Sequence, residues 1–393
     1  MYPVIKLKPG KEESLLRHHP WVFSGAVASL PENLEEGDYV VVTDSKGQTL
    51  GVGHYQIGSI TVRILEFGVD AISDDFYFKR LSNAADLRLT LGLCRPDNDC
   101  FRLVHGEGDF LPGLVVDIYG DTAVMQAHSP GMHFERNTIA EALTRLPQIN
   151  IRNVYYKSET TLPFKARLDP HNDYLIGGFD GNVATENGLQ FNIDWLKGQK
   201  TGFFVDQREN RALLEKFAKG REVLNMFCYT GGFSVYAMRG GALSVDSVDS
   251  SAKAAALTDA NIALNFPDDP RHTTHAVDAF KYLADMPKDR YDLIILDPPA
   301  FAKHRSALKN GLIGYRKLNA KAFEKIRPGG ILFTFSCSQV VSREAFRLAV
   351  FSAAAKSGRK VRVLHQLTQP ADHPFDISHP EGEYLKGLIL YVE

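Results

Sequence analysis

R-E-V-L-N-M-F-C-Y-T-G-G-F-S-V-Y-A-M-R-G-G, residues 221–241, is the stretch that decides the fold. Val223 to Phe227 form a short, β-prone apolar run, Gly231-Gly232 break it, and Phe233 to Met238 resume with helix-compatible spacing. The segment therefore reads strand, glycine turn, helix. Such turns lie at the carboxyl edge of open parallel sheets, where exposed backbone N–H groups let an anionic or zwitterionic cofactor approach side-chain-free backbone. Taken alone, the pattern fits an ordinary strand-to-helix turn equally well.

The flanking sequence favours the cofactor. Leu243 to Asp249 reads as a second strand, ending in an acid eighteen positions past Gly231. That carboxylate is placed to take both hydroxyls of a ribose. An Ala-rich helical stretch follows (Ala252 to Asn265), then a short strand around Thr274 to Val277 ending in Asp278. A strongly apolar strand, Tyr291 to Leu296, runs into Asp297-Pro298-Pro299. Four strands thus end in polar groups on one edge. The first turn, Tyr229-Thr230-Gly231-Gly232-Phe233, lacks the third glycine of G-x-G-x-x-G, which disfavours a nicotinamide cofactor.

Five strings narrow the reading: Lys200-Thr201-Gly202-Phe203-Phe204-Val205-Asp206-Gln207-Arg208, the 225–233 turn, Val248-Asp249-Ser250-Ser251, Asp297-Pro298-Pro299-Ala300-Phe301, and Phe335-Ser336-Cys337-Ser338. Together they resemble the class I S-adenosylmethionine-dependent methyltransferases, and more narrowly the ribosomal RNA large subunit cytosine-5 methyltransferases. The resemblance implies S-adenosylmethionine as cofactor, with Gln207 and Arg208 near its methionine end. Phe227, Tyr229, Gly231, Asp249, Asp278 and Asp297 would line the rest of that site. Alternatively, Asp206 only caps a helix and Arg208 lies on a solvated face.

A chain of 393 residues, 44% hydrophobic and 23% charged, has an ordinary globular composition and length for two or three domains. Met1 to Lys6 lacks a secretory core and no apolar run approaches the roughly 20 residues that span a bilayer, so no membrane partner and a cytoplasmic location are expected. The four cysteines, Cys94, Cys100, Cys228 and Cys337, offer no C-x-x-C pair, and no metal is expected. A formal charge of −2 does not announce a nucleic-acid protein, so RNA contact would need local charge asymmetry.

Residues 1–72 alternate short apolar segments with turns, the pattern of a small β-barrel. Lys8-Pro9-Gly10 and Arg17 to Gly25 resemble the opening of a PUA domain, an RNA-binding barrel. The region holds six Lys/Arg against nine Asp/Glu, so contact would fall to Lys6, Lys8, Lys11 and Arg17. The alternative is a structural barrel with Trp21 and Phe23 in its core. Residues 73–185 read as a connecting helix (Phe76 to Leu93) and a small α+β domain, with a helix near Phe134 to Leu146. In that domain Glu107 and Asp109 suit a solvated hairpin better than an acid–base pair. A boundary inside the loop-rich 160–187 leaves 186–393 as the methyltransferase domain, with the tail from Ala371 completing its sheet. The fold class expected is thus α/β: a seven-strand Rossmann-like methyltransferase domain preceded by a PUA-like barrel and a small α+β domain.

Carbon 5 of cytosine is a poor nucleophile, so its methylation requires a thiolate to add at carbon 6 first. Cys337 arrives at the end of the buried strand Ile331 to Ser336, beside the edge where Asp297 emerges, and is the candidate nucleophile. Asp297 would orient the base through the amino group or ring nitrogen 3. Ala300 stands where amino-group methyltransferases carry a stacking aromatic, although Phe301 follows it. Cys228 reads as a packing residue. Between Asp297 and Glu324 there is no acid, while Lys303, Arg305, Lys309, Arg316, Lys317 and Lys321 all occur, a local basic surface for RNA phosphates. The expectation is a methyltransferase forming 5-methylcytosine in large subunit ribosomal RNA, with a homodimer left open. Its alternatives are a guanine or adenine amino-group RNA methyltransferase and a non-catalytic RNA-binding assembly factor. His373 reads as a turn residue rather than a proton shuttle.

Overall fold

The computed structural model describes residues 2–393 except 164–166, 169 and 180. The chain divides into two compact units: residues 1–188, 193–205 and 371–382 make the first, and 189–192, 206–370 and 383–393 the second.

The first unit begins with a six-stranded sheet. β1 (Val4–Leu7), β2 (Trp21–Phe23), β3 (Val27–Ser29), β4 (Tyr39–Thr43), β5 (Thr49–Tyr55) and β6 (Ile60–Phe67) lie in the order β2-β6-β5-β4-β1-β3. A one-turn helix, α1 (Glu13–Leu16), follows β1. Period-two alternation sends Ile5, Leu7, Val40, Val42, Val62 and Ile64 inward as one core. Gly53 is required where β5 meets β6, since a Cβ there would lie 2.1 Å from the Arg63 carbonyl oxygen. Phe23, a core candidate from the sequence, is 45% exposed.

A five-stranded sheet follows, from β7 (Cys100–His105), β8 (Leu114–Tyr119), β9 (Thr122–Ala127), β10 (Asn153–Tyr156) and β11 (Asp173–Ile176), in the order β11-β10-β9-β8-β7. The helix α2 (Phe76–Thr90) ends before Leu93, at a Leu91-Gly92 turn where Gly92 has φ +67°. It belongs to the core through Phe76, Tyr77, Leu81 and Ala85 rather than serving only as a connector. The helix expected near Phe134 to Leu146 is two: α3 (Pro130–Phe134) and α4 (Arg136–Thr144).

The Gly106–Asp109 turn corrects the solvated-hairpin reading. Asp109 is 7% exposed and accepts from both terminal nitrogens of the fully buried Arg88, the longer bond being 2.8 Å. Arg88 also donates to the Asp372 carbonyl at 2.8 Å, and Arg102 N to Asp372 Oδ2 at 3.0 Å. A buried guanidinium needs such partners, and the acids that a sequence pattern assigns to solvent supply them. Residues 371–382, read with the tail, therefore belong to the first unit. His373, read as a turn residue, is 1% exposed there. A short strand, β12 (Val183–Glu186), belongs to the first unit, and β13 (Leu189–Asn192) to the second.

The second unit contains β14 (Glu222–Met226), β15 (Ser244–Asp249), β16 (His272–Ala276), β17 (Leu293–Leu296), β18 (Gly330–Ser336), β19 (Val361–Thr368) and β20 (Lys386–Val392). Their order is β16-β15-β14-β17-β18-β20-β19, and β20 runs antiparallel to both neighbours. Apolar residues on both faces of β17 and β18 fit strands covered on both sides. The helices are α5 (Arg208–Ala218), α6 (Gly232–Arg239), α7 (Ala252–Asn265), α8 (Ala279–Asp285), α9 (Leu308–Lys325) and α10 (Arg343–Ser357). α9 buries Tyr315, Leu318, Ala322 and Phe323 at helical spacing, and Ser342 caps α10 through a 3.1 Å bond from Ala345 N.

Candidate active site

Strand register builds the site. The chain leaves β14 toward β15 and β16, then returns to place β17 on the other side of β14, which makes β14/β17 a topological switch point. Met226 pairs with both Val248 and Leu296, and Leu296 pairs with Thr334. Phe227, Asp249, Asp297 and Cys337 therefore follow strand ends on one edge, as their order in the sequence predicted.

The turn after β14 is strained. Phe227 (φ +61°) and Tyr229 (φ +48°) are both in the left-handed region, which aromatic residues rarely adopt. Such strain persists where surrounding contacts over-determine it, and it concentrates at functional sites. Here α7 supplies the contacts: Thr258 Oγ1 donates to the Tyr229 carbonyl at 2.9 Å, and Asn261 Nδ2 to the Thr230 carbonyl at 2.8 Å. Gly231 (φ +77°) caps α6, and a Cβ there would lie 2.6 Å from Thr258 Cγ2. Asp249 closes the turn, its Oδ2 accepting from Tyr229 N at 3.0 Å and its Oδ1 from Ser251 N at 2.9 Å. Cys228 is 6% exposed and burial pushes its thiol up to about 12, so it packs rather than reacts.

A half-buried carboxylate beside a glycine turn, with the apolar side chains of Val277 (39% exposed) and Phe280 (41%) facing solvent nearby, fits a nucleoside. Phe280 lies 6.4 Å from the Phe227 ring, and Val277 N donates to the Asp249 carbonyl at 2.9 Å. Asp278 is exposed and caps α8 through a 2.8 Å bond from Lys281 N.

Gln207 and Asp297 are hydrogen-bonded partners. Gln207 Nε2 donates to Asp297 Oδ2 at 3.0 Å, while Gln207 Oε1 accepts from Asn210 Nδ2 at 2.6 Å. Burial pushes the Asp297 carboxyl up to about 7, and the Asp206 charge pushes the same way against Gln207 and Arg211. Asp206 does more than begin a helix: its Oδ2 accepts from Tyr384 Oη at 2.7 Å. Arg208 is not on a solvated face, being 1% exposed, and its Nε lies 3.2 Å from Glu209 Oε1.

Cys337 is partly exposed, its Sγ 4.0 Å from the carbonyl oxygen of Pro298, the residue after Asp297. One bond ties its loop to the loop after β17, Ser338 Oγ donating to the Ala302 carbonyl, and Ser336 Oγ at the end of β18 donates to Tyr315 Oη of α9 at 2.9 Å. Phe301 packs on Tyr315 with ring centroids 4.7 Å apart.

Sequence reading missed Asn210, Thr258, Asn261 and Tyr315. Thr258 and Asn261 are polar residues three apart in an Ala-rich helix, a signal that was available; Tyr315 looks like any core aromatic.

Lys303, Arg305, Lys309, Arg316 and Lys317 are all exposed, and none forms an ion pair among the described residues. Lys309, Arg316 and Lys317 share one face of α9 at seven- and eight-residue spacing. In the barrel, Lys11 is exposed, Lys8 Nζ donates to the Gly25 carbonyl at 3.0 Å, and Arg17 is paired with Glu13. His19, His379 and Glu381 bring three ligand-type atoms within 4.8 Å of one another. However, Trp21 N donates to His19 Nδ1, leaving the ring proton on Nε2, the atom facing Glu381. A protonated Nε2 suits a hydrogen bond to that carboxylate rather than a bond to a metal. Among the described residues, no helix is long and apolar enough to cross a membrane.

The profile of the S-adenosylmethionine-dependent methyltransferase family matches residues 103–389, and that of a PUA-like domain residues 5–67. Proteins named ribosomal RNA large subunit methyltransferase I are 38% identical in Tolumonas auensis and 39% identical in Shewanella denitrificans, each alignment covering 99% of both chains. A solved structure from Streptococcus mutans, described as an S-adenosylmethionine-dependent methyltransferase, superposes with a TM-score of 0.83 over 99% of this chain and 100% of its own, at 23% identity. A second solved chain with the same score was crystallised with S-adenosylhomocysteine. The chain thus belongs to the S-adenosylmethionine-dependent methyltransferases that carry an amino-terminal PUA-like domain, in the group of the ribosomal RNA large subunit methyltransferase I proteins.

Proposed function

We propose that this enzyme methylates carbon 5 of a cytosine in large subunit ribosomal RNA, with Cys337 as covalent nucleophile. The observation that carries this reading is a partly exposed thiol 4.0 Å from the carbonyl between Asp297 and Pro299, at the same sheet edge as the glycine turn. Cys337 Sγ adds to carbon 6 of the base, and the electron pair moves to nitrogen 3 and carbon 5. Asp297, whose carboxyl is held near neutrality, hydrogen-bonds nitrogen 3 and supplies a proton there as negative charge develops. Gln207 fixes the orientation of that carboxyl. S-adenosylmethionine, when bound, supplies an electrophilic methyl group to carbon 5. Loss of the carbon 5 proton to a base then expels the Cys337 thiolate, and return of the nitrogen 3 proton to Asp297 restores the neutral cytosine ring.

The relatives' names support ribosomal RNA as substrate. The exposed Lys303, Arg305, Lys309, Arg316 and Lys317 offer phosphate contacts next in sequence to Asp297, and Lys8 and Lys11 add contacts from the barrel. Phe301 does not favour the amino-group alternative, because its ring is engaged with Tyr315. Nucleoside digestion of ribosomal RNA methylated in vitro tests the reading. 5-Methylcytidine is expected, with turnover abolished in Cys337→Ala; methylguanosine or methyladenosine with activity intact in that variant would overturn it.

A further inference from the structure

Lys386 opens β20, in Tyr384-Leu385-Lys386-Gly387, where a lysine is ordinarily solvent-exposed. Here it is 5% exposed. Its strand pairs with β18 so that Lys386 sits opposite Ser336, the residue before Cys337. The ammonium donates to the carbonyl oxygens of Ser338 and Val341, each at 2.6 Å. Both belong to the loop that leaves Cys337.

Taking an ammonium out of water costs several kcal/mol, and a methionine of similar length would fill the same space without that cost. The charge is therefore the property to explain. Its hydrogen bonds to the Ser338 and Val341 carbonyls neutralise no charge and leave the ammonium a net positive charge. An ammonium has three protons, and two of them serve the loop.

We infer that Lys386 is the positioning residue of the nucleophile: by clamping the Ser338 and Val341 carbonyls it sets the course of the loop, and its charge favours the Cys337 thiolate. The inference rests on the reading of Cys337 as nucleophile and adds how that thiol is prepared. Burial pulls the Lys386 amine down to about 8, and Cys337 is the first group opposing that fall, followed by Glu383; Arg343 acts with burial. Coupling between two ionisable groups is mutual, so the ammonium favours the thiolate as the thiolate favours the ammonium. Of the other groups facing this loop, Tyr315 is neutral at physiological pH, because burial pushes its hydroxyl up to about 12. Asp297, when ionised, opposes the thiolate. Glu383 is paired with Arg343.

The test is the pH dependence of Cys337 alkylation by iodoacetamide in the full-length protein, followed by peptide mass spectrometry so that the other cysteines do not interfere. Expected are a wild-type midpoint below the ordinary thiol value of about 8.5 and a midpoint about one pH unit higher in Lys386→Met. Lys386→Met should also lose about tenfold in kcat at pH 7 with little change in KM for RNA, a loss that shrinks at higher pH; Lys386→Arg should keep most of the alkylation shift. A wild-type midpoint at or above 8.5, or an unchanged midpoint in folded Lys386→Met, overturns the inference. The wild-type measurement keeps it testable if the variant does not fold. Alkylation needs neither RNA nor turnover, so a normal shift together with an active Cys337→Ala enzyme would remove the cytosine-5 reading alone.

Discussion

Gln207 Nε2 and Asp297 Oδ2 are 3.0 Å apart, and the amide is itself oriented by Asn210, so a single turn at the start of α5 aims the carboxylate at the end of β17. The arrangement keeps Asp297 partly buried and directed, and its titration becomes a measurable property of the fold.

Asp297 has a folded-state value near 7, well above the unfolded carboxylate value. The folded protein therefore binds more protons between those values. The resulting stability is fully present below the unfolded value and is lost as pH rises through 7. Urea unfolding should show wild type losing on the order of 3 kcal/mol between pH 4.5 and 8 relative to Asp297→Asn, whose curve should be flatter. Parallel curves for the two proteins would refute the assignment.

Removing the Gln207 hydrogen bond removes the group that most lowers Asp297. Gln207→Leu should shift the corresponding limb of the kcat/KM profile upward in pH and lower kcat about tenfold. The measurement is a methyl-transfer pH profile with RNA well below KM for kcat/KM and at saturation for kcat.

Gly231→Ala forces a left-handed alanine and a methyl group 2.6 Å from Thr258 Cγ2. A cost of about 1–3 kcal/mol in stability and at least tenfold in S-adenosylmethionine affinity follows, read by thermal unfolding and calorimetry. Gly231→Ala with wild-type affinity would show that the turn does not form the cofactor cradle.

Charge reversal at Lys309, Arg316 and Lys317 should weaken RNA binding at least tenfold and flatten its dependence on salt. Binding of S-adenosylmethionine should stay unchanged. Filter binding at two salt concentrations checks both, and an unaltered salt slope would exclude this face of α9 from the RNA contact.

Arg88→Met leaves the Asp109 carboxylate buried without its partner and should destabilise the protein by about 3–5 kcal/mol. Adding Asp109→Asn to that variant should recover part of the loss. Chemical unfolding of the single and double variants measures the coupling.

The second unit was legible because its signals are local. The run from Val223 to Phe227 with Gly231, the Asp249 that ends the next strand, and the apolar strand before Asp297 each announce themselves within a few residues. Their assembly on one edge follows from the handedness of parallel crossovers. What escaped the reading depends on residues distant in sequence. Arg88, Asp109 and Asp372 satisfy one another across almost the whole chain, so an acid in a glycine-rich turn looked solvated. Lys386 drew no reading from the sequence, because nothing nearby reveals that β20 is inserted between β18 and β19. Asp278, a carboxylate at a strand end, also serves as a helix cap.

The return of residues 371–382 to the first unit bears on how the protein is made. During synthesis Arg88 and Arg102 leave the ribosome before the second unit is made, yet the Asp372 backbone and carboxylate that satisfy them are translated only after residues 206–370. Nascent chains must therefore hold that portion unfinished while the catalytic segment is produced. Stalled translation intermediates ending before Ala371 should be markedly more sensitive to protease than the released protein.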